Sequence, residues 1–128
     1  MNREENKPPE DLKVRTKAFA LRVIRLYVAL PKSAEAQVLG RQVLKSGTSV
    51  GAHYRESLRS RSDAEVISKL EGGLQELEET QYWLELLSES EIVPADRLTP
   101  LLQEADELTA ILVTCVKRVK DRKRKDEG

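Results

Sequence analysis

The lone histidine of this chain, His53, stands in the run Ser49-Val50-Gly51-Ala52-His53-Tyr54-Arg55-Glu56. A hydroxyl, an imidazole, a guanidinium and a carboxylate thus fall within about two turns of a helix. Three arrangements could use them. A di-metal centre in a helical bundle needs a Glu-x-x-His motif on two helices and further glutamates on the others. Here the single histidine precedes its glutamate, and an arginine sits in the group. A hydrolytic dyad could pair Ser49 with His53, four residues on and on the same helix face, with Asp63 orienting the ring. No strand-turn-helix elbow presents that serine, and no oxyanion hole is marked. A mid-helix serine more often bonds back to the carbonyl four residues earlier. The plainer arrangement is a buried charge network of His53, Arg55, Glu56, Glu76 and Glu79, with Arg55 neutralised by Glu76 or Glu79. Gly40, Gly47 and Gly51 do not form the G-x-x-x-x-G-K-S/T phosphate loop. The expectation is therefore no catalytic residue, no metal, no cofactor, and a protein that is not an enzyme.

Cations offer a different chemistry. Arg41, Lys45, Arg55, Arg59 and Arg61 lie along the segment from 34 to 61, and Lys117, Arg118, Lys120, Arg122, Lys123, Arg124 and Lys125 crowd the C-terminus. Clustered positive charge is what contacts to RNA or DNA phosphates require. The same cations also suit helix C-terminal ends, where the helix dipole favours them. No helix-turn-helix, zinc finger or aromatic stacking platform makes the case more specific. The chain has 22 basic and 22 acidic residues, but they are segregated. Residues 1–62 carry a net +7, residues 63–116 a net −11 and residues 117–128 a net +4. Any nucleic-acid site must then be local, and the two halves attract one another within or between subunits.

These groups must be held by helices, because apolar residues recur at three and four and no strand-like alternation occurs. The spacing predicts helices at about 12–30, 34–58, 63–89 and 95–122. Ser33 is placed to cap the second, and Ser62 with Glu65 to form a capping box for the third. Pro94 and Pro100 both fit a first turn of the fourth, which predicts a loose start or a kink near Pro100. On the first helix Arg15, Ala18, Arg22, Arg25 and Ala29 mark a solvent stripe. The remaining circumference is wider in apolar residues than one core can use, as are Ile111 and Val113 on the fourth, and this predicts self-association. Gly47 and Gly51, one turn apart, read as a seam where another backbone approaches closely, near Gly72 or Gly73. The whole is an all-α, up-down-up-down antiparallel four-helix bundle over residues 11–122, with a disordered lead at 1–10 and a disordered basic tail at 123–128. Cys115 reads as an inert thiol in an apolar helix. No run is long enough to cross a membrane and no signal peptide is apparent, so the expected location is the cytoplasm.

Several separated blocks resemble one family. They are Ser46-Gly47-Thr48-Ser49-Val50-Gly51-Ala52, Tyr54-Arg55-Glu56, Arg61-Ser62, Lys69-Leu70, the run from Glu79 to Leu87, and the run from Pro100 to Leu108. In this order and spacing they look like the four-helix bundle proteins related to the 23S rRNA intervening-sequence proteins, and more distantly the accessory protein of diversity-generating retroelements. The resemblance implies a four-helix bundle assembled as a homopentamer, of unsettled molecular role, with nucleic-acid binding suspected. A scaffold that binds protein and not nucleic acid is the alternative. His53 stands where the family commonly has asparagine, which would give a hydrogen bond there a pH dependence.

Overall fold

Two serines set where the middle helices begin. The Ser33 hydroxyl accepts from the Ala36 amide at 3.4 Å and opens the helix Ala34–Leu58. The Ser62 hydroxyl accepts from the Glu65 amide at 3.1 Å and opens Asp63–Glu89. The computed structural model describes residues 10–127 and has four helices, α1 (Glu10–Ala29), α2 (Ala34–Leu58), α3 (Asp63–Glu89) and α4 (Ala95–Glu127). Among the described residues there is no strand. Each cap satisfies an amide that the first helical turn would leave without a partner. The capping box differs from expectation in one respect. The Glu65 carboxylate accepts from the Arg61 amide at 3.4 Å, not from that of Ser62.

α3 ends in a Schellman turn. The Ile92 amide reaches the Leu87 carbonyl at 3.1 Å and the Glu91 amide the Ser88 carbonyl at 3.0 Å. That closure holds Glu91 at φ 64°, the left-handed region usually given to glycine. α4 starts directly after Pro94 and carries Pro100 inside it. Pro100 cannot donate to the Asp96 carbonyl, and Asp96 lies exposed where water can serve that acceptor. The far end runs past the expected stop at 122 to Glu127. Lysine and arginine are good helix formers and suit a C-terminal turn. Arg122 bonded to Asp63 at 2.7 Å and Lys120 3.6 Å from Glu71 also tie this stretch to α3. The lead expected at 1–10 lies outside the described residues except for Glu10, which opens α1.

α2 packs against α1 and α3, α3 against α4, and α4 returns more lightly to α1, with no close backbone approach across either diagonal. This is the up-down-up-down order that short connections impose. Phe19 and Val23 of α1, Val43 and Val50 of α2, Leu77, Leu84 and Leu87 of α3, and Leu98, Leu108 and Leu112 of α4 are all buried at the centre. Each such side chain stabilises the fold by roughly 1.5–3 kcal/mol through burial.

Candidate nucleic-acid interface

The position of the cations is set by a stripe of glycines. A Cβ on Gly47 would lie 2.7 Å from Val23 Cγ2, and one on Gly51 3.0 Å from Thr16 Oγ1. Gly40, two turns earlier, continues the line, since its Cβ would come 2.5 Å from Leu30 Cδ1. The neighbour of Gly47 and Gly51 is therefore α1, not the expected Gly72 and Gly73 of α3. Those two glycines meet another side of α2, at His53 and Val50. The reason is angular. At about 100° per residue, Gly47 and Gly51 point roughly 100–160° away from Ser46 and His53, the residues that face α3. There the buried Ser46 and Thr80 hydroxyls hydrogen-bond at 2.8 Å.

Of the expected buried charge network only His53 and Glu76 are partly buried, while Glu56 and Glu79 are exposed and Arg55 stands apart. His53 Nδ1 lies 3.4 Å from Glu56 Oε1 and its Nε2 3.9 Å from Glu76 Oε2. Neither is a hydrogen bond, and Nδ1 is buried without a partner. The Glu76 side chain is only 19% exposed. Burial first, then the hydrogen bond and charge of Glu79, push its carboxyl above the usual range, while Ser49 and His53 pull it down. Arg55 takes no part. Tyr54 occupies the buried position, so Arg55, one residue on, is exposed and lines a groove with Lys13, Val14, Lys17 and Leu21. Among the described residues no carboxylate pairs with it, so its expected neutralisation by Glu76 or Glu79 does not occur. Lys69, 3.3 Å from Glu56, is the cation beside the cluster.

The hydrolytic arrangement is likewise not brought together. Ser49 Oγ donates to the Lys45 carbonyl at 2.7 Å, and Asp63 accepts from Arg122. Among the described residues no group of three His, Cys, Asp or Glu side chains is placed to hold a metal. Cys115 is half-buried, and that burial pushes its thiol up, away from reactivity. One ion pair was hidden in the sequence. Arg15, expected on the solvent stripe of α1, bonds Glu104 of α4 through Nη2 at 2.6 Å and Nε at 3.1 Å, and Glu107 at 3.3 Å. Its guanidinium is held charged chiefly by the Glu104 hydrogen bonds. The Glu104-x-x-Glu107 spacing was the only signal for it.

The α2 cations form an outward line. Arg41, Lys45, Arg55 and Arg59 are all exposed and, at about 100° per residue, fall within roughly 40° of one direction. Thr48 and Ala52 fill the turns between them, Arg61 follows beyond the helix, and Lys13 and Lys17 extend the surface onto α1. The C-terminal set lies at the end of the bundle where Arg59 and Arg61 lie, because α4 runs antiparallel to α3. It is partly compensated there. Arg122 pairs with Asp63, Lys120 with Glu71 and Arg124 with Asp121, whereas Lys117, Arg118, Lys123 and Lys125 have no acidic partner among the described residues. Nothing in the sequence singles out Lys13 and Lys17, because their helix alone does not reveal that they flank Arg55.

Among the described residues no helix is long and apolar enough to cross a membrane. No curated protein matches the chain. The crystal structure of a protein of unknown function from the S23 ribosomal protein family of Bacteroides thetaiotaomicron is similar, with a TM-score of 0.79 and 35% identity, over 83% of this chain and 98% of that one. The profile described as 23S rRNA-intervening sequence protein matches residues 10–114, from the first residue of α1 deep into α4, and the chain belongs to that family.

Proposed function

We propose that this protein is a non-enzymatic, cytoplasmic adaptor that holds a nucleic-acid backbone along its α1–α2 face. The observation that carries the reading is the exposed line Arg41, Lys45, Arg55 and Arg59, flanked by Lys13 and Lys17, with no carboxylate partner among the described residues. Such a surface contacts phosphates without reading bases. RNA is the first target to try, because the family's description names 23S rRNA. The test is a titration with RNA and with duplex DNA at several salt concentrations. Affinity is expected to fall steeply with salt, and Arg55→Gln with Arg59→Gln to flatten the log–log slope by about 0.7–0.9 for each phosphate no longer neutralised. Lys123→Gln with Lys125→Gln reports separately on the tail. No binding at low salt by either nucleic acid overturns the reading.

A second reading, self-association, rests on a separate observation. Val14, Leu21 and Val28 are 66%, 41% and 69% exposed and lie one heptad apart on α1. With Ala18 and Arg25 they give the four-three spacing of a helix-pairing seam. A ring, pentameric on the family resemblance, would cover it and set several basic faces side by side. Without nucleic-acid binding, the same seam would make the protein an assembly scaffold.

A further inference from the structure

At the end of the bundle away from the basic tail, α1 and the start of α4 leave a cavity of about 480 Å³ between them. Leu26, Ile92 and Leu98 give it an apolar floor, and Arg22, Arg25 and Arg97 stand around it. None of the three arginines pairs with a carboxylate among the described residues. We propose that this cavity binds a small amphipathic anion, an apolar body carrying one carboxylate or phosphate. The two halves of the lining ask for the two halves of that ligand. Three unpaired like charges lining one cavity repel each other, and an anion placed among them relieves the repulsion. Arginine forks match the paired oxygens of carboxylates and phosphates. The apolar floor gives such an anion nothing unless it brings apolar surface of its own. The volume lies in the range of small-molecule sites and is too small for a nucleic-acid strand laid along the surface. The light packing of α1 on α4 explains why the space is open. The Arg15–Glu104 bonds hold the two helices together further along, so the cavity does not depend on their closing there.

The test uses the full chain and isothermal titration with octanoate and phenyl phosphate, which separate the two anion types. Octanol and inorganic phosphate serve as the halves of the ligand. Saturable one-to-one binding of at least one amphipathic anion is expected, at least tenfold tighter than either half. Arg25→Gln with Arg97→Gln should weaken it tenfold or more, while Lys69→Gln, a charge removed near the other end, leaves it unchanged. Circular dichroism confirms that these surface variants are folded. The proposal is overturned if neither anion saturates by about 1 mM, the weak limit of useful affinity. It is also overturned if the double arginine variant binds as the parent does. If that variant instead loses self-association and no anion binds the parent, the cavity is an interface between copies and the proposal fails.

Discussion

At Gly47 a single methyl group is enough to oppose two effects. Alanine is the better helix former by about 1 kcal/mol. Its Cβ would stand 2.7 Å from Val23 Cγ2, and a β-branched valine on a helix has little rotamer freedom with which to move away. Overpacking of this kind costs roughly 1–3 kcal/mol, so Gly47→Ala is expected to lower stability. Val23→Ala removes the obstructing methyls, and in the double variant the cost should be well below the sum of the two single changes. Thermal melts of the four proteins check this, and additive costs would show that the close approach is not the cause. The glycines were legible as a seam because they break helix propensity where the helical pattern continues. Which helix they meet was not, because a face has a direction but no address. The same gap hid Arg15, whose partners lie on α4, and misplaced Arg55, whose exposure follows from Tyr54 taking the buried position. Glu76 allows a pH test. Its carboxyl is raised in the folded state, mainly by burial, so its ionisation opposes folding. The penalty is absent below the unfolded value of about 4.3 and complete above the raised folded value. Glu76→Gln should therefore stabilise the protein at neutral pH, with the gain shrinking as pH falls through that window. Denaturant titrations of both proteins between about pH 4 and 8 decide it, and a gain that is constant or larger in acid would contradict the assignment.

The helices themselves were the most legible level. Their periodicity, the serine caps and the prolines located all four, with α2 and α3 starting and stopping where the spacing put them. The ends of α4 were less legible. Pro94 and Pro100 competed for one role, and the structure resolves the competition by placing Pro94 ahead of the helix and Pro100 inside it. The basic run reads as a solvated tail in the sequence because nothing local shows that Asp63 and Glu71 wait on α3 to receive it. The turn after α3 gives an element-level prediction. Glu91 sits at φ 64° between two Schellman hydrogen bonds, and that conformation costs a residue with a Cβ roughly 1–2 kcal/mol. Glycine removes the strain but loses more backbone freedom on folding, by about 0.5–1 kcal/mol. Glu91→Gly should then leave the protein more stable by up to about 1.5 kcal/mol, whereas Glu91→Ala, which keeps the Cβ, should bring no such gain. Equal melting temperatures for the glycine and alanine variants would mean that the turn is not strained.

The molecule as a whole is two-faced. Its α1–α2 side presents Lys13, Lys17, Arg41, Lys45, Arg55 and Arg59, and the outer surface of α3 presents Glu71, Glu78, Glu85 and Glu89. The charge segregation was legible in the chain, but its arrangement as opposite sides of a bundle needed the helix directions. Between copies, such a distribution favours unlike faces meeting, and the α1 seam adds apolar surface to the interface. Neither Val14 nor Val28 is stabilised by being two-thirds exposed on a protomer, and both are stabilised if a neighbour covers them. Leu21→Gln with Val28→Glu puts polar groups into that seam without touching the core or adding a carboxylate beside Arg55, since both residues are exposed in the protomer and, of the two, only Leu21 lines the Arg55 groove. Sedimentation of the parent at micromolar concentration is expected to give a mass above 14.5 kDa, the mass of one chain. The double variant is expected to sediment as one chain with its helical circular dichroism unchanged. Its RNA affinity should fall as well, by about 10²–10⁴ where several basic faces act together, because that gain depends on linkage alone. A salt dependence should persist with a shallower slope, since Arg55 and Arg59 are untouched and one face still neutralises its own phosphates. A parent that sediments at 14.5 kDa, or a double variant that keeps the larger mass, would exclude the α1 seam as the assembly surface.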